Sequence, residues 1–161
     1  NAGTRYEDVT PPDLQALQAD HGVQWADFDG DGDADLALTG ARPDGMHLLL
    51  RNLLPAVDAG RSLQVRVVDG RGRATRAGAE VRLFAAGTRR VLGTRLVDTG
   101  SGYDAQSEMP VHFGLATAAA VDVAVTYPAA GRRVVTIVRD VQPSAWQGRV
   151  LTVHVGERAP A

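Results

Sequence analysis

The sequence predicts an all-β protein in which a small β module is followed by a β-sandwich. Short segments rich in Val, Leu and Ile recur along the second part of the chain, and several alternate apolar with polar residues, as half-buried strands do. Clusters of Gly, Asp and Pro, which favour turns, separate these segments. Nearer the N-terminus, a run of alternating aspartates lies between two short alternating segments, which indicates a β-hairpin with an acidic loop.

Residues 1–54 are predicted to form the small module. Residues 4–10 have the composition of an edge strand that ends at a Pro-Pro pair. Asp13 is expected to cap a short helical turn whose Leu14 and Leu17 face the sheet. The acidic hairpin follows, and residues 46–52 are expected to add a third strand.

The segment 55–60 is predicted to be a linker, 61–156 the sandwich and 157–161 a tail. Segments such as Val-Asp-Val-Ala-Val-Thr-Tyr alternate strictly between apolar and polar or small residues. Short strands at this spacing are typical of a β-sandwich. The predicted strands are 63–68, 79–84, 91–97, 111–113, 121–127, 133–138 and 149–155.

Aspartate occupies every second position of the acidic loop, at Asp27, Asp29, Asp31, Asp33 and Asp35. Carboxylates this close repel one another in a folded loop unless a cation lies among them. A solvated turn without metal is the alternative, but ordinary turns use one or two Asp or Asn residues. Calcium accepts many oxygen ligands in flexible geometry, whereas magnesium requires a stricter octahedron. Ca²⁺ is therefore the predicted cofactor.

The spacing assigns a role to each aspartate. In a loop that curls around an ion, the side chains of Asp27, Asp29 and Asp31 are expected to point inward. Asp33 is expected to supply its backbone carbonyl, and the carboxylate of Asp35 to close the shell.

The residues between and after the aspartates restrict the type of loop. Gly30 and Gly32 suit tight wrapping, because glycine adopts positive φ without a Cβ clash. An EF-hand begins with a similar pattern but requires a bidentate Glu at its twelfth position, where this chain has Leu38. The flanking segments also resemble strands rather than helices, so the calcium loop is predicted to join two strands.

The segment Gly22-Val-Gln-Trp-Ala-Asp-Phe-Asp-Gly-Asp-Gly-Asp-Ala-Asp-Leu-Ala-Leu38 resembles an FG-GAP repeat, also called VCBS-type, the blade unit of integrin-like β-propellers. The resemblance covers about residues 4–53 and implies calcium binding by the five aspartates. A propeller needs roughly four to eight blades, and no second D-x-D-x-D segment occurs in the sequence. A single blade must therefore cover its apolar face with a neighbouring domain, a partner subunit or further blades.

The second region is similar to the ASPIC/UnbV domain over about residues 61–155. The resemblance rests on Ala77-Gly-Ala-Glu-Val81, Gly100-Ser-Gly-Tyr-Asp-Ala-Gln-Ser107, Val111-His-Phe-Gly-Leu115 and Tyr127-Pro-Ala-Ala-Gly131. That domain commonly follows FG-GAP repeats in secreted proteins. The chain departs from the family pattern in having Tyr127 where Trp is usual, and Ala129 or Ala130 where a Ser is usual.

Composition excludes several classes of protein. The formal net charge is -2, the charged fraction is 22%, and all basic residues are Arg, so neither an acidic tail nor a nucleic-acid footprint is present. Cysteine is absent, which excludes disulfides and thiolate sites. No run of about 18 apolar residues indicates a membrane span. The chain begins at Asn1 without a visible signal peptide, so we expect that a leader has been removed or that the chain is part of a longer protein.

Few residues suggest catalysis. His112 is expected to be structural, with its side chain pointing opposite to its two strand neighbours and bonding a loop carbonyl. Tyr103 is expected to pack on the core beneath a tight turn, the alternative being that Tyr103 and Gln106 bind a sugar or peptide at the sandwich rim. Trp25 and Trp146 are expected in the core or at an interface. No Ser-His-Asp arrangement or zinc spacing is apparent.

These observations predict a non-enzymatic, calcium-stabilised structural or adhesive module, extracellular, on the cell surface or periplasmic, where calcium is plentiful. Its expected partner is another protein or a second copy of the chain, with a glycan as a further possibility. Strand addition at a sheet edge, with residues 1–10 as donor, would allow a fibre to form. Two alternatives stay open: an accessory or catalytic protein of an enediyne-type pathway, which the UnbV resemblance allows, and a glycan-binding module.

Overall fold

The computed structural model describes residues 5–8, 10–16, 21–40, 47–74, 76–100, 102–103, 105–107 and 110–156. It is nearly all β, as the sequence predicts, with 48% strand and 8% helix. The strands form three sheets. The short helices are α1 (Pro12–Gln15), α2 (Ala56–Ala59) and a 3-10 helix (Pro143–Trp146). The strands are β1 (Gly22–Ala26), β2 (Asp35–Thr39), β3 (His47–Leu50), β4 (Ser62–Asp69), β5 (Glu80–Ala85), β6 (Val91–Leu96), β7 (Val111–Gly114), β8 (Val121–Ala129), β9 (Arg132–Val141) and β10 (Val150–Val155).

The first sheet has the order β1-β2-β3, and both pairs are antiparallel. It confirms the predicted hairpin and the predicted third strand, which is shorter than 46–52. Residues 5–8 and 10 lie outside strands, so an edge strand over 4–10 is wrong for the residues described there. One cause is local: the Asp8 carboxylate accepts a hydrogen bond from the backbone N–H of Thr10 at 3.0 Å, which favours a turn.

Helix α1 also differs from the prediction, because its N-cap is Pro11 and not Asp13. Pro12 occupies the first helical position, where its fixed φ suits a helix and its missing N–H is not needed. Asp13 therefore lies inside the helix. Leu17, which was expected to face the sheet, lies outside the described residues.

Two further sheets form the sandwich. One has the order β10-β4-β7 and the other the order β6-β5-β8-β9. Each of the seven strands predicted in the second region has a counterpart, with shifted ends. The pairing of β10 with β4 is parallel, unlike the antiparallel pairs elsewhere in the described sheets.

The core lies between the two sandwich sheets. Alternate residues of β8, namely Val121, Val123 and Val125, are at most 1% exposed. They pack with inward-facing residues of the other sheet, such as Leu63 and Val65. Alternation along each strand thus buries one face against the opposite sheet, as in other sandwiches.

The predicted linker is not simply extended chain. Residues Ala56–Ala59 form helix α2, which begins after Pro55, and the backbone N–H groups of Ala59 and Gly60 bond to carbonyls four residues earlier. Ala59 is only 3% exposed. The segment therefore packs against the body of the protein.

One face of the first sheet is apolar and only partly covered. Residues directly opposite each other on neighbouring strands share a face, and the pairing places six apolar side chains together. None of the six is fully buried, and Val23 and Trp25 are each 49% exposed. We call this set the apolar face: Val23, Trp25, Leu36, Leu38, Leu48 and Leu50.

Candidate metal centre

The acidic loop between β1 and β2 is shaped by its own side chains. Asp27 accepts hydrogen bonds from the backbone N–H groups of Gly30 at 2.8 Å and Gly32 at 3.0 Å. Asp29 accepts from the N–H of Asp31 at 3.3 Å, and Asp31 from that of Asp33 at 3.1 Å. These bonds curl the chain around its carboxylates, and both glycines have positive φ, as the wrapping requires.

Three of the five aspartates converge. One carboxylate oxygen from each of Asp27, Asp29 and Asp35 lies within 4.8 Å of the others, an arrangement that could hold a metal ion. Asp35 is the most buried of the three at 1% exposure. Its two oxygens accept hydrogen bonds from the N–H groups of Phe28 at 3.1 Å and Asn52 at 2.8 Å. These bonds hold the end of the loop against the segment that follows β3.

Asp31 and Asp33 do not belong to this group of three. Asp33 points into the protein and is 2% exposed, and its Oδ2 accepts from the N–H of Leu54 at 3.2 Å. Its Oδ1 is buried without a hydrogen-bond partner among the described residues. Burial raises the pKa of Asp33, and the neighbouring negative charges of Asp31, Asp35 and Asp29 raise it further. The loop thus carries uncompensated negative charge, and its all-oxygen donor set fits a hard cation.

One side chain of the protein already offsets part of this charge. Arg51, just after β3, places Nε 2.6 Å from Asp29 Oδ2 and an Nη atom 3.5 Å from Asp31 Oδ2. The Arg51 side chain is 57% exposed. One partly solvated guanidinium does not neutralise the charge of the loop. The sequence analysis did not assign this role to Arg51. Its position just after a strand predicted to pair beside the acidic loop could have indicated that its guanidinium lies near the aspartates.

The loop is docked on the outer face of the sheet β10-β4-β7. Gln64 of β4 and His112 of β7 lie directly opposite each other in this sheet, so their side chains share a face. Gln64 Nε2 donates to Asp27 Oδ2 at 2.8 Å. His112 Nε2 donates to the carbonyl of Gly32 at 3.0 Å. The predicted bond from His112 to a loop carbonyl is confirmed, whereas the role of Gln64 was not predicted.

Gly32 marks the tightest contact between the loop and the sandwich. A Cβ atom at this position would lie 2.7 Å from the carbonyl oxygen of Ala59 and 3.0 Å from Ser62 Oγ. Gly30, two residues earlier, has open space at the corresponding position. Glycine is therefore required at position 32 both by packing and by its positive φ, and at position 30 by its positive φ alone.

One other expectation for the site is corrected. Tyr103 is 71% exposed and contacts the ring of His21 edge-on at 5.2 Å, so its placement on the core is wrong. Ala105, two residues later, is buried at 9% exposure, unlike the other residues described in this turn, 102–103 and 106–107. Trp25 belongs to the exposed apolar face, and Trp146 packs beside the core.

A groove of about 200 Å³ adjoins the acidic loop at the first sheet, and Trp25 of the apolar face also contributes to its lining. Its lining includes Gln24, Phe28, Asp35, Leu49 and Gln106. Gln106, one of the two residues considered for a sugar or peptide, thus lies beside the candidate metal centre, whereas Tyr103 does not line this groove.

Within the part of the chain that the structure describes, no helix has the length and apolar character that crossing a membrane requires.

Comparison with protein families gives one match. The model for ASPIC and UnbV matches residues 69–154, which is more than half of the chain, and no FG-GAP or VCBS repeat is detected. No curated protein and no solved structure matches the chain. Strand β4 begins before the matched segment, yet it pairs with both β7 and β10 inside it. On the strength of this match, the chain belongs to the ASPIC and UnbV family.

Proposed function

We propose that the protein is a calcium-stabilised structural or adhesive module that works outside the cytoplasm, and that its first part is an FG-GAP-type calcium-binding repeat. The observation that carries the proposal is the convergence of carboxylate oxygens from Asp27, Asp29 and Asp35. A shell of carboxylates and loop carbonyls suits the flexible oxygen coordination of Ca²⁺ better than the strict octahedron of Mg²⁺.

The contacts of the loop suggest what the ion does. The docking bonds from Gln64 and His112 connect the loop to the sandwich, and Asp35 connects it to the segment after β3. An ion that fixes the loop therefore also fixes the first sheet on the sandwich. Binding at a hundredfold excess over the dissociation constant contributes about 2.7 kcal/mol to stability.

The apolar face supports the adhesive part of the proposal. Trp25 and Val23 are half exposed, and contiguous apolar surface of this kind marks sites of protein association. The outer edge of β3 has no strand neighbour among the described residues. Such an edge accepts an added strand, and residues 1–10 of a second copy are the proposed donor. Residues 5–8 of this segment are exposed.

Calcium titration by calorimetry, with thermal melting in calcium and in EDTA, tests the metal site. Asp29→Asn is the best variant, because Asp29 is exposed while Asp35 also holds the fold together. Asp98→Asn, an exposed aspartate outside the loop, is the matched control. We expect the Asp29 variant to bind calcium at least about tenfold more weakly and the control to bind as the parent does. A melting temperature that does not depend on calcium would refute the proposal.

Sedimentation velocity tests self-association. The full chain in calcium is expected to form oligomers, and Trp25→Glu to prevent them by placing a charge on the apolar face. Deletion of residues 1–10 is expected to do the same by removing the donor strand. Oligomers that persist without residues 1–10 would exclude strand donation by this segment, and a monomer under all conditions would exclude self-association.

A glycan-binding module is the second candidate function. The groove beside the acidic loop combines the amide side chains of Gln24 and Gln106 with the ring of Phe28. Amides that hydrogen-bond hydroxyl groups, together with an aromatic surface, suit a sugar. A glycan array with the parent protein and Phe28→Ala tests this; no binding by the parent would dismiss this candidate.

A further inference from the structure

A second groove lies on the outer face of the sheet β6-β5-β8-β9, far in the fold from the acidic loop, and has a volume of about 510 Å³. Ala124 of β8 forms its floor, because side chains along a strand point alternately to the two faces of the sheet. Val123 and Val125 point into the core, so Ala124 between them points outward. Ala124 is paired with Ile137 of β9 on one side and with Arg82 of β5 on the other, and Phe84, paired with Asp122, lies diagonally from it on the same face. Because Ala124 is small, the larger side chains of Phe84 and Ile137 form apolar walls of the groove.

One end of the trough is closed by an ordered polar structure. Asp122 accepts hydrogen bonds from the backbone N–H groups of Asp140 at 2.9 Å and Gly87 at 3.1 Å. The N–H of Asp140, followed by that of Gly87, lowers the pKa of Asp122, so the carboxylate is charged at neutral pH. Because these bonds tie the β5–β6 turn to β9, this end of the trough is formed before any ligand arrives.

The charges at this end do not cancel. Arg139 places an Nη atom 3.3 Å from Asp122, which compensates the carboxylate. Arg89, on the β5–β6 turn, also lines the groove and forms no ion pair within the described ranges. With the Asp122 acceptors already used by protein donors, the groove presents an apolar trough that ends at a net positive charge.

We propose that this groove binds a small amphipathic carboxylate, with its flat apolar body on Ala124 between Phe84 and Ile137 and its carboxylate at Arg89 and Arg139. The volume lies within the range of sites for small molecules, about 300–1,000 Å³. Guanidinium groups match carboxylates in geometry as well as in charge. This site does not depend on the metal centre or on the proposed function.

Naphthalene-2-carboxylate is the probe, and its neutral isostere naphthalene-2-carboxamide is the matched ligand control. Titration of the ¹⁵N-labelled protein, followed by amide chemical shifts, is expected to give a dissociation constant on the order of 1 mM for the acid. The largest shifts are expected at residues 84–89, 122–124 and 137–139. The amide is expected to bind at least about fivefold more weakly, because it lacks the charge.

Two pairs of variants separate the charge from the trough. Arg89→Glu is expected to weaken binding of the acid about five- to tenfold, whereas Arg133→Glu, the same change on an exposed arginine of β9 outside the groove, leaves it unchanged. Ile137→Thr is expected to weaken both ligands about threefold, whereas Val135→Thr, two residues along the same strand face, does not. Melting curves establish that each variant is folded.

The proposal is overturned if acid and amide bind equally, if the shifts lie elsewhere, or if Arg133→Glu weakens binding as much as Arg89→Glu. A dissociation constant for the acid above about 10 mM overturns it as well.

Discussion

Replacing Gly32 by alanine tests whether the acidic loop is docked against the sandwich as the structure shows. The backbone of Gly32 has φ +101°, and an added Cβ would lie 2.7 Å from the carbonyl oxygen of Ala59. Gly30 is the control within the same loop, because it has φ +76° and open space around the position of a Cβ. Both substitutions strain the backbone, but only the one at Gly32 also forces two backbone segments apart.

The two costs can be estimated separately. An alanine at positive φ costs about 1–2 kcal/mol, which is the expectation for Gly30→Ala. Gly32→Ala adds the displacement of a packed backbone carbonyl, which as overpacking costs about 1–3 kcal/mol more. With roughly 2–4 °C for each kcal/mol in a chain of this size, Gly32→Ala is expected to melt roughly 2–12 °C below Gly30→Ala.

Urea and thermal unfolding of both variants in EDTA provide the assay, because chelation removes any effect of metal affinity. Equal destabilisation by the two substitutions would show that the loop does not rest on α2 and the start of β4. That result would refute the docked arrangement from which the role of the ion is argued.

Three further predictions concern single contacts. Gln64→Leu removes the hydrogen bond to Asp27 and is expected to weaken calcium binding about three- to tenfold, as measured by calorimetry. An unchanged calcium affinity would show that Gln64 does not position Asp27. Tyr127→Phe removes the hydrogen bond that the Tyr hydroxyl accepts from the N–H of Gly156 at 2.8 Å. It is expected to lower the free energy of unfolding in urea by about 1 kcal/mol, and a variant as stable as the parent would contradict this. The pKa of Asp69 lies below its usual value because its carboxylate accepts several hydrogen bonds. The donors are the backbone N–H and the guanidinium of Arg73, and the backbone N–H of Arg71. The folded state therefore binds fewer protons than the unfolded chain, so this contribution to stability is present above about pH 4 and is lost as the pH falls through the lower folded pKa. Asp69→Asn is expected to be less stable at pH 7 and to lose less stability on acidification, and parallel pH profiles of unfolding would refute the assignment.

The strands and the acidic loop were predictable because their signals are local. Alternation of apolar with polar or small residues, as in segment 121–127, predicts which side chains face a core without any knowledge of the residues on the other side of that core. The spacing of the aspartates likewise predicts a curled loop, since the carboxylates of Asp27, Asp29 and Asp31 each accept from a backbone N–H only two to five residues away. His112 was predictable for the same reason, because its neighbours on the strand are apolar.

The predictions that failed concern positions where the local signal does not decide the structure. Residues 5–8 have strand-like composition, but nothing in the described structure pairs with them, and β propensity without a partner does not make a strand. Tyr103 was expected on the core, yet it is exposed, and Ala105 is the residue that is buried among those described in that turn. In both cases the choice depends on chain segments far away in sequence.

The sequence by itself determined that the protein is all-β, where most strands run, and that one loop concentrates negative charge. Only the tertiary structure decided that Asp27, Asp29 and Asp35 converge while Asp33 turns inward, and that Arg51, Gln64 and His112 surround the loop. It also decided that β10 lies parallel to β4 and that Ala124 forms the floor of a groove. The physical reason is range: periodicity and turn chemistry act over a few residues, whereas these contacts join residues brought together by strand pairing and by the packing of sheets.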